Sequence, residues 1–234
     1  AVDVAVWQQN LVVSEINYHP LPPATPEESA AAGGDLKNEF EFIELHNISP
    51  SVTLDLSELA LTTGVIFSFS GSAVTELLPG GYVLVVKNPA AFEARYGTGL
   101  PVAGTYAPNS LDNAGEQIVL ARLGTVIRDF AYSDDPPWPT TPDGTGPSLV
   151  LREPLTNPDH NLAASWRASS VTGGTPGTGE GPTPQSIEFT PPVSWPLDGP
   201  PLELAATATS GLPVAIEVVS GPASLAGTTL AFTA

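Results

Sequence analysis

Residues 132–149 read Tyr-Ser-Asp-Asp-Pro-Pro-Trp-Pro-Thr-Thr-Pro-Asp-Gly-Thr-Gly-Pro-Ser-Leu, and their prolines leave few backbone choices. Proline has no N–H to donate and a fixed φ, so this stretch can be neither a helix nor a central strand. It also carries Trp138 between Pro137 and Pro139, which predicts an ordered loop folded back over the end of a core. The same punctuation runs along the whole chain. With 26 prolines and 22 glycines separating aliphatic runs, the pattern is one of short strands joined by turns. No apolar run approaches the roughly 20 residues of a membrane span, so membrane insertion is not expected.

The strand pattern can be followed in detail. Residues 11–18 alternate, with Val12, Ile16 and Tyr18 on one face and Glu15 and Asn17 on the other. Prolines 20, 22, 23 and 26 end that strand, and the small, acidic residues 24–38 read as an exposed insertion holding at most one helical turn. Further strands are expected at 40–47, 53–56, 59–62, 66–69 and 148–152. The apolar run 82–86 suits a buried central strand. Residues 116–123 and 126–132 flank Gly124 and predict a hairpin. One helix is expected, at 88–97, because Asn88 can cap it, Pro89 fits its first turn and Gly97 can end it. Residues 172–185 contain no side chain able to anchor a core and read as a linker, followed by strand-like segments at 187–190, 202–208, 214–219 and 229–233.

Charge and cysteine content remove whole classes of function. The chain has 25 acidic residues against 7 Lys and Arg, a formal net charge of −18 that repels nucleic acid and anionic lipid. No cysteine is present, which excludes disulfides, thiolate metal sites and cysteine nucleophiles. Secretion stays open, because a domain of this size builds a sufficient core without staples. The absence of methionine, together with a start at Ala1 lacking a signal-like region, leads us to expect removal of an N-terminal segment.

A succession of short motifs resembles the bacterial lamin-tail family. They are Glu15-Ile16, Glu41-Phe-Ile-Glu-Leu-His-Asn47, the Leu-rich stretch 54–62, Pro79-Gly-Gly-Tyr-Val-Leu84, and an Asn-x-x-Gly-Glu-x-Ile-x-Leu-like run at 113–120. After these come Pro137-Trp-Pro139, Asp143-Gly-x-Gly146, Ser148-Leu149, Trp166 and Gly174-Thr-Pro-Gly177, so the likeness covers residues 11–177. Departures are the insertion at 24–38 and His46. The resemblance implies an immunoglobulin-like β-sandwich within a secreted multidomain protein. Residues 206–214 and 218–223 look like the start of a bacterial immunoglobulin-like repeat.

The expected fold is therefore all-β: an immunoglobulin-like sandwich with one short helix over 1–177, a linker at 178–185, and a partial second β-sandwich domain at 186–234. We expect it to end before its final strands.

Candidate chemistry is sparse. Glu44 and His46 share one strand face, which suits a metal or acid–base pair, but no third partner stands at a metal-ligand spacing, so a solvated or hydrogen-bonded face is favoured. His19 and His160 stand alone beside prolines. No Gly-x-Ser-x-Gly elbow or phosphate-binding loop occurs. Asp134, Asp135 and Asp143 surround Trp138 in the proline loop. They lack a calcium-loop spacing, and together with Trp138 they are the candidate ligand contacts. No catalytic residue, metal or cofactor is expected. The expectation is a monomeric, non-catalytic binding or spacer module of a bacterial secreted or cell-surface protein, with a protein or glycan ligand and no nucleic-acid partner. The alternative is an accessory targeting domain of a secreted hydrolase, such as a nuclease, a phosphoesterase or a spore-coat-kinase-like enzyme.

Overall fold

The computed structural model describes residues 4–34, 36–106, 109–181, 186–190, 194–196, 199–208 and 213–232, and the chain divides into two compact units, Ala1–Gly181 and Pro182–Ala234. The first unit runs α1 (Val4–Asn10), β1 (Leu11–Asn17), α2 (Pro26–Ala32), β2 (Phe42–Asn47), β3 (Leu54–Asp55), β4 (Leu59–Thr63), β5 (Phe67–Ser68) and β6 (Glu76–Leu77). It continues with β7 (Tyr82–Val86), α3 (Pro89–Tyr96), β8 (Val102–Thr105), β9 (Gln117–Arg122), β10 (Thr125–Ala131), β11 (Pro147–Leu151) and β12 (Trp166–Thr172). The all-β expectation holds. A six-stranded sheet has the order β12-β11-β1-β2-β7-β8, a four-stranded sheet the order β10-β9-β4-β5, and β3 pairs with β6.

Alternation along the strands builds one apolar core from both larger sheets. Ile43 and Leu45 of β2, Val83 and Val85 of β7 and Leu149 and Leu151 of β11 join Leu59, Leu61, Ile118, Leu120, Ile127 and Phe130 from the smaller sheet. The intervening residues of the larger sheet are buried too. Phe42, Leu84 and Val86 form a second cluster with Phe92 of α3, so α3 covers this outer face. It is the crossover of a β7–α3–β8 unit whose strands run parallel, and β8 went unread in the sequence.

Local signals explain most elements. Asn88 Oδ1 accepts from the amides of Ala90 and Ala91, which starts α3 where the capping pattern places it. The β9–β10 hairpin closes through Leu123 and Gly124, whose φ values of 47° and 76° give the left-handed pair that a two-residue hairpin turn demands. In the insertion, by contrast, the expected single turn is the seven-residue helix α2. Thr25 accepts from the Glu28 amide, and the Glu28 carboxylate reaches back to the Ala24 amide at 2.8 Å. Glu28 is buried against Arg95, at 2.8 Å, so the insertion is packed and not freely exposed. With α1, the described residues hold three short helices instead of one.

The boundary of the first unit also differs from the expectation. Residues 173–181 lie on the first unit as an irregular strap in which Pro176 is buried. Hydrogen bonds supply the rest of its attachment. The Thr175 and Gly177 amides donate to Glu15 and Glu44, and Glu180 accepts from Ser169 and Ser170 while pairing with Arg167. Residues 178–181 thus belong to the first unit and not to a linker.

The second unit contains β13 (Ile187–Phe189), β14 (Leu202–Glu203), β15 (Ala206–Ala208), β16 (Ala223–Ala226) and β17 (Thr229–Phe232). β13 pairs with β15, and β14-β17-β16 form a three-stranded sheet. Residues 214–219, expected as a strand, are irregular; the hairpin forms instead across Gly227 and Thr228. None of the described residues here is fully buried, and Thr233 lies outside the described residues.

The strap contacts predict that a fragment ending at Gly181 will melt with the first unit of the full chain. A fragment ending at Thr172 lacks the strap's hydrogen bonds to Glu15, Glu44, Ser169 and Ser170 and its ion pair with Arg167, and should lose about 3 kcal/mol in urea denaturation.

Candidate functional site

The outer face of the larger sheet carries two buried carboxylates. Glu15 and Glu44 stand opposite each other in the β1–β2 register and are 2 % and 1 % exposed. Glu15 accepts from Ser148 Oγ at 2.6 Å, from the Thr175 amide at 3.0 Å and from Thr175 Oγ1. Glu44 accepts from Ser14 Oγ and from the Gly177 amide, both at 2.6 Å. Burial pushes the Glu15 carboxyl up to about 7; burial and the neighbouring Glu15 push Glu44 up to about 8. His46 on the same face stacks on Tyr82 at 4.1 Å between ring centroids and is held down to about 4 by burial. The Glu44 and His46 face is therefore hydrogen-bonded and sealed, not solvated.

Beside this sealed face lies an open groove of about 520 Å³. One wall is Leu21, Pro22, Pro23 and Ala24, another is Arg95 and Tyr96 of α3, and the third is Gly146 with residues 172–174. The walls are braced to one another. Arg95 donates to the Leu21 and Pro22 carbonyls at 3.0 Å, while the Tyr96 hydroxyl donates to the Gly173 carbonyl at 2.9 Å and accepts from Asn17. The groove is thus preformed, with an apolar lining and its charged head groups already engaged.

His19, expected to stand alone, joins two distant residues. Its Nδ1 is 2.5 Å from Asp143 Oδ1 and its Nε2 contacts Lys37 Nζ. An ammonium only donates, so Nε2 accepts and Nδ1–H donates to Asp143. This is the imidazole orientation of an acid–base dyad, but the Nε2 lone pair is occupied by an ammonium and not by a hydroxyl nucleophile.

The other histidine is structural. β1 bulges between Val13 and Glu15, and the Val13 amide donates to His160 Nε2 at 3.2 Å. The His160 carbonyl accepts from Trp166 Nε1 at 2.9 Å, and burial holds this imidazole down to about 4. Glu41, fully buried, accepts from the Tyr106 hydroxyl at 2.7 Å and the Leu111 amide at 2.8 Å; burial raises it to about 7.

The proline-loop candidates are not gathered into one site. Trp138 is half-buried and packs on the fully buried Trp166 with ring centroids 6.2 Å apart, and its amide donates to the Asp135 carbonyl. Asp143 turns to His19, whereas Asp135 is exposed and its amide is capped by Ser133 Oγ. Burial, and after it the charges of Asp143 and Asp134, keep the Tyr18 phenol protonated. Among the described residues no group of three or more His, Asp or Glu side chains is arranged to hold a metal ion. No described helix is long and apolar enough to cross a membrane. The groove and the His19 cluster escaped the sequence reading because their parts are far apart in the chain, from Leu21 to Gly174 in the groove and from His19 to Asp143 in the cluster, with no local spacing to join them.

Compared with known protein families, curated proteins and solved structures, the chain has no match.

The titrations predict a stability optimum. His46 and His160 are depressed in the folded state, so the stability they contribute is lost as pH drops from the ordinary histidine range toward about 4. Glu15, Glu41 and Glu44 are raised, so the stability they contribute is complete at acidic pH and is lost as pH rises through 7 to 8. Urea denaturation should therefore show a loss of about 3 kcal/mol between about pH 6.5 and about pH 8.5, reduced in Glu44→Gln. For the loop, Trp138→Ala should cost about 2 kcal/mol in the same assay, less than a fully buried tryptophan.

Proposed function

We propose that this chain is a non-catalytic binding and spacer module of a secreted or cell-surface bacterial protein, with a lamin-tail-type immunoglobulin-like sandwich as its first unit. The fold reading is supported by the motif succession over residues 11–177 and by the single core shared between the six- and four-stranded sheets. The observation that carries the binding reading is the preformed groove beside α3. Its 520 Å³ lie within the range of ligand pockets, and its walls are fixed by hydrogen bonds before any ligand arrives. Its lining offers prolines, an aromatic ring and glycine backbone, a surface suited to contact and not to bond making. The ligand classes we favour are an extended peptide or a glycan, both of which use aromatic faces and main-chain groups.

Screening the full chain against peptide and glycan arrays tests this. Hits should lose at least tenfold in affinity in Ala24→Trp, which fills the groove from an exposed wall position, and should survive Trp138→Ala. Binding that follows Trp138 and ignores Ala24 would move the site to the proline loop. Hydrolysis of a bound ligand would contradict the non-catalytic reading.

A further inference from the structure

The strap at residues 173–181 is attached in an unusual way. Its one buried apolar side chain is Pro176, most of its hold is polar, and two of the groups it bonds are the facing carboxylates of Glu15 and Glu44. Directly opposed residues on antiparallel strands have Cβ atoms about 5 Å apart, so the two carboxyl groups share one small volume. Every donor aimed at them is neutral: Ser148 Oγ from β11, Ser14 Oγ from β1, and the Thr175 amide and hydroxyl and the Gly177 amide from the strap.

The charged and titratable groups around the pair do not compensate a second negative charge. Glu180 raises Glu15 further and is itself paired with Arg167. The Tyr82 phenol beside Glu44 and the Tyr96 phenol beside Glu15 are held protonated, chiefly by burial. His46, stacked on Tyr82, is neutral.

Space is equally limiting. A Cβ on Gly174 would lie 1.8 Å from Glu15 Oε1, and one on Gly179 would lie 2.5 Å from the Tyr82 hydroxyl, so strap backbone presses directly on the acidic face. The cavity left between Ser14, Glu15, Glu44, Tyr82 and Thr178 is about 20 Å³, the room of one water and not of a hydration shell.

We propose that residues 174–179 are a proton-controlled strap, docked while Glu15 and Glu44 share at least one proton and released when both are ionised, so that the acidic face is uncovered between the fixed points at Gly173 and Glu180. With one proton, one carboxyl bonds as acid and the other as carboxylate. With none, two buried like charges face each other, and undocking the strap lets water reach them. Docking therefore takes up protons and weakens as pH rises through the range in which the pair ionises, about 7 to about 8. Release opens the six residues 174–179 as a loop, about 20 Å of extended chain, and moves Gly174 out of the groove wall.

Amide hydrogen exchange of the full chain, expressed as protection over intrinsic rates, tests this. Between about pH 6 and about pH 9 the Thr175 and Gly177 amides should lose at least about tenfold in protection and become far less protected than Leu45 and Val85; in Glu44→Gln their loss should be smaller. Unchanged protection of Thr175 and Gly177 in the wild type, or protection at about pH 9 equal to that of Leu45 and Val85, overturns the proposal. Should Glu44→Gln fail to fold, the wild-type carboxyl carbon shifts of Glu15 and Glu44 decide: two-step titration in that window supports the strap, and its absence refutes it. Calcium restoring protection at the higher pH would identify a cation site in place of a proton switch, and would also overturn it.

Discussion

Two carboxylates sealed against each other on β1 and β2 determine how the outer face of the larger sheet is finished. Both strands are buried along their whole length, so neither Glu15 nor Glu44 can take its hydrogen bonds from water. A buried carboxyl group without donors is costly, and the chain meets this by laying residues 173–181 across the face. Only glycine fits at 174, because any side chain would enter the Glu15 carboxyl group. The strap in turn forms one wall of the groove through Gly173 and Gly174, so the binding surface and the sealing of the sheet share the same backbone.

The rest of the first unit repeats this arrangement with other partners. Where β1 bulges, the Val13 amide loses its regular ladder role and His160 accepts from it. Where α1 meets β1, Arg128 donates to the carbonyls of Gln8 and Leu11. Glu41 accepts from Leu111 in a loop far along the chain. In each case a side chain supplies what irregular backbone lacks, which is why a unit with so many prolines still holds fixed walls around a groove.

Much of the fold was legible because its signals are local. The helix at 88–97 declared itself through Asn88, Pro89 and Gly97, and the β9–β10 hairpin through Gly124. The run 82–86 read as a buried strand and is one. The Thr25-x-x-Glu28 capping pattern was also present and marks α2, yet its acidic, alanine-rich composition suggested an exposed insertion. What buries it is the packing of Ala31 and Ala32 on Phe40 and Ala91, together with the ion pair of Glu28 with Arg95, 67 residues away.

The sequence by itself determined the class of the fold, since proline and glycine spacing permits only short strands and alternation assigns their core faces. It also determined the chemistry ruled out by the lack of cysteine and by the net charge of −18. Only the tertiary structure decided which polar residues are buried. Glu15, Glu44 and His46 alternate with core residues as solvent-facing positions would, and nothing within ten residues of them reveals a second covering layer. That layer is a strap some 130 to 160 residues downstream whose sequence carries no apolar signal, because its attachment is made largely by backbone amides, which every residue but proline possesses.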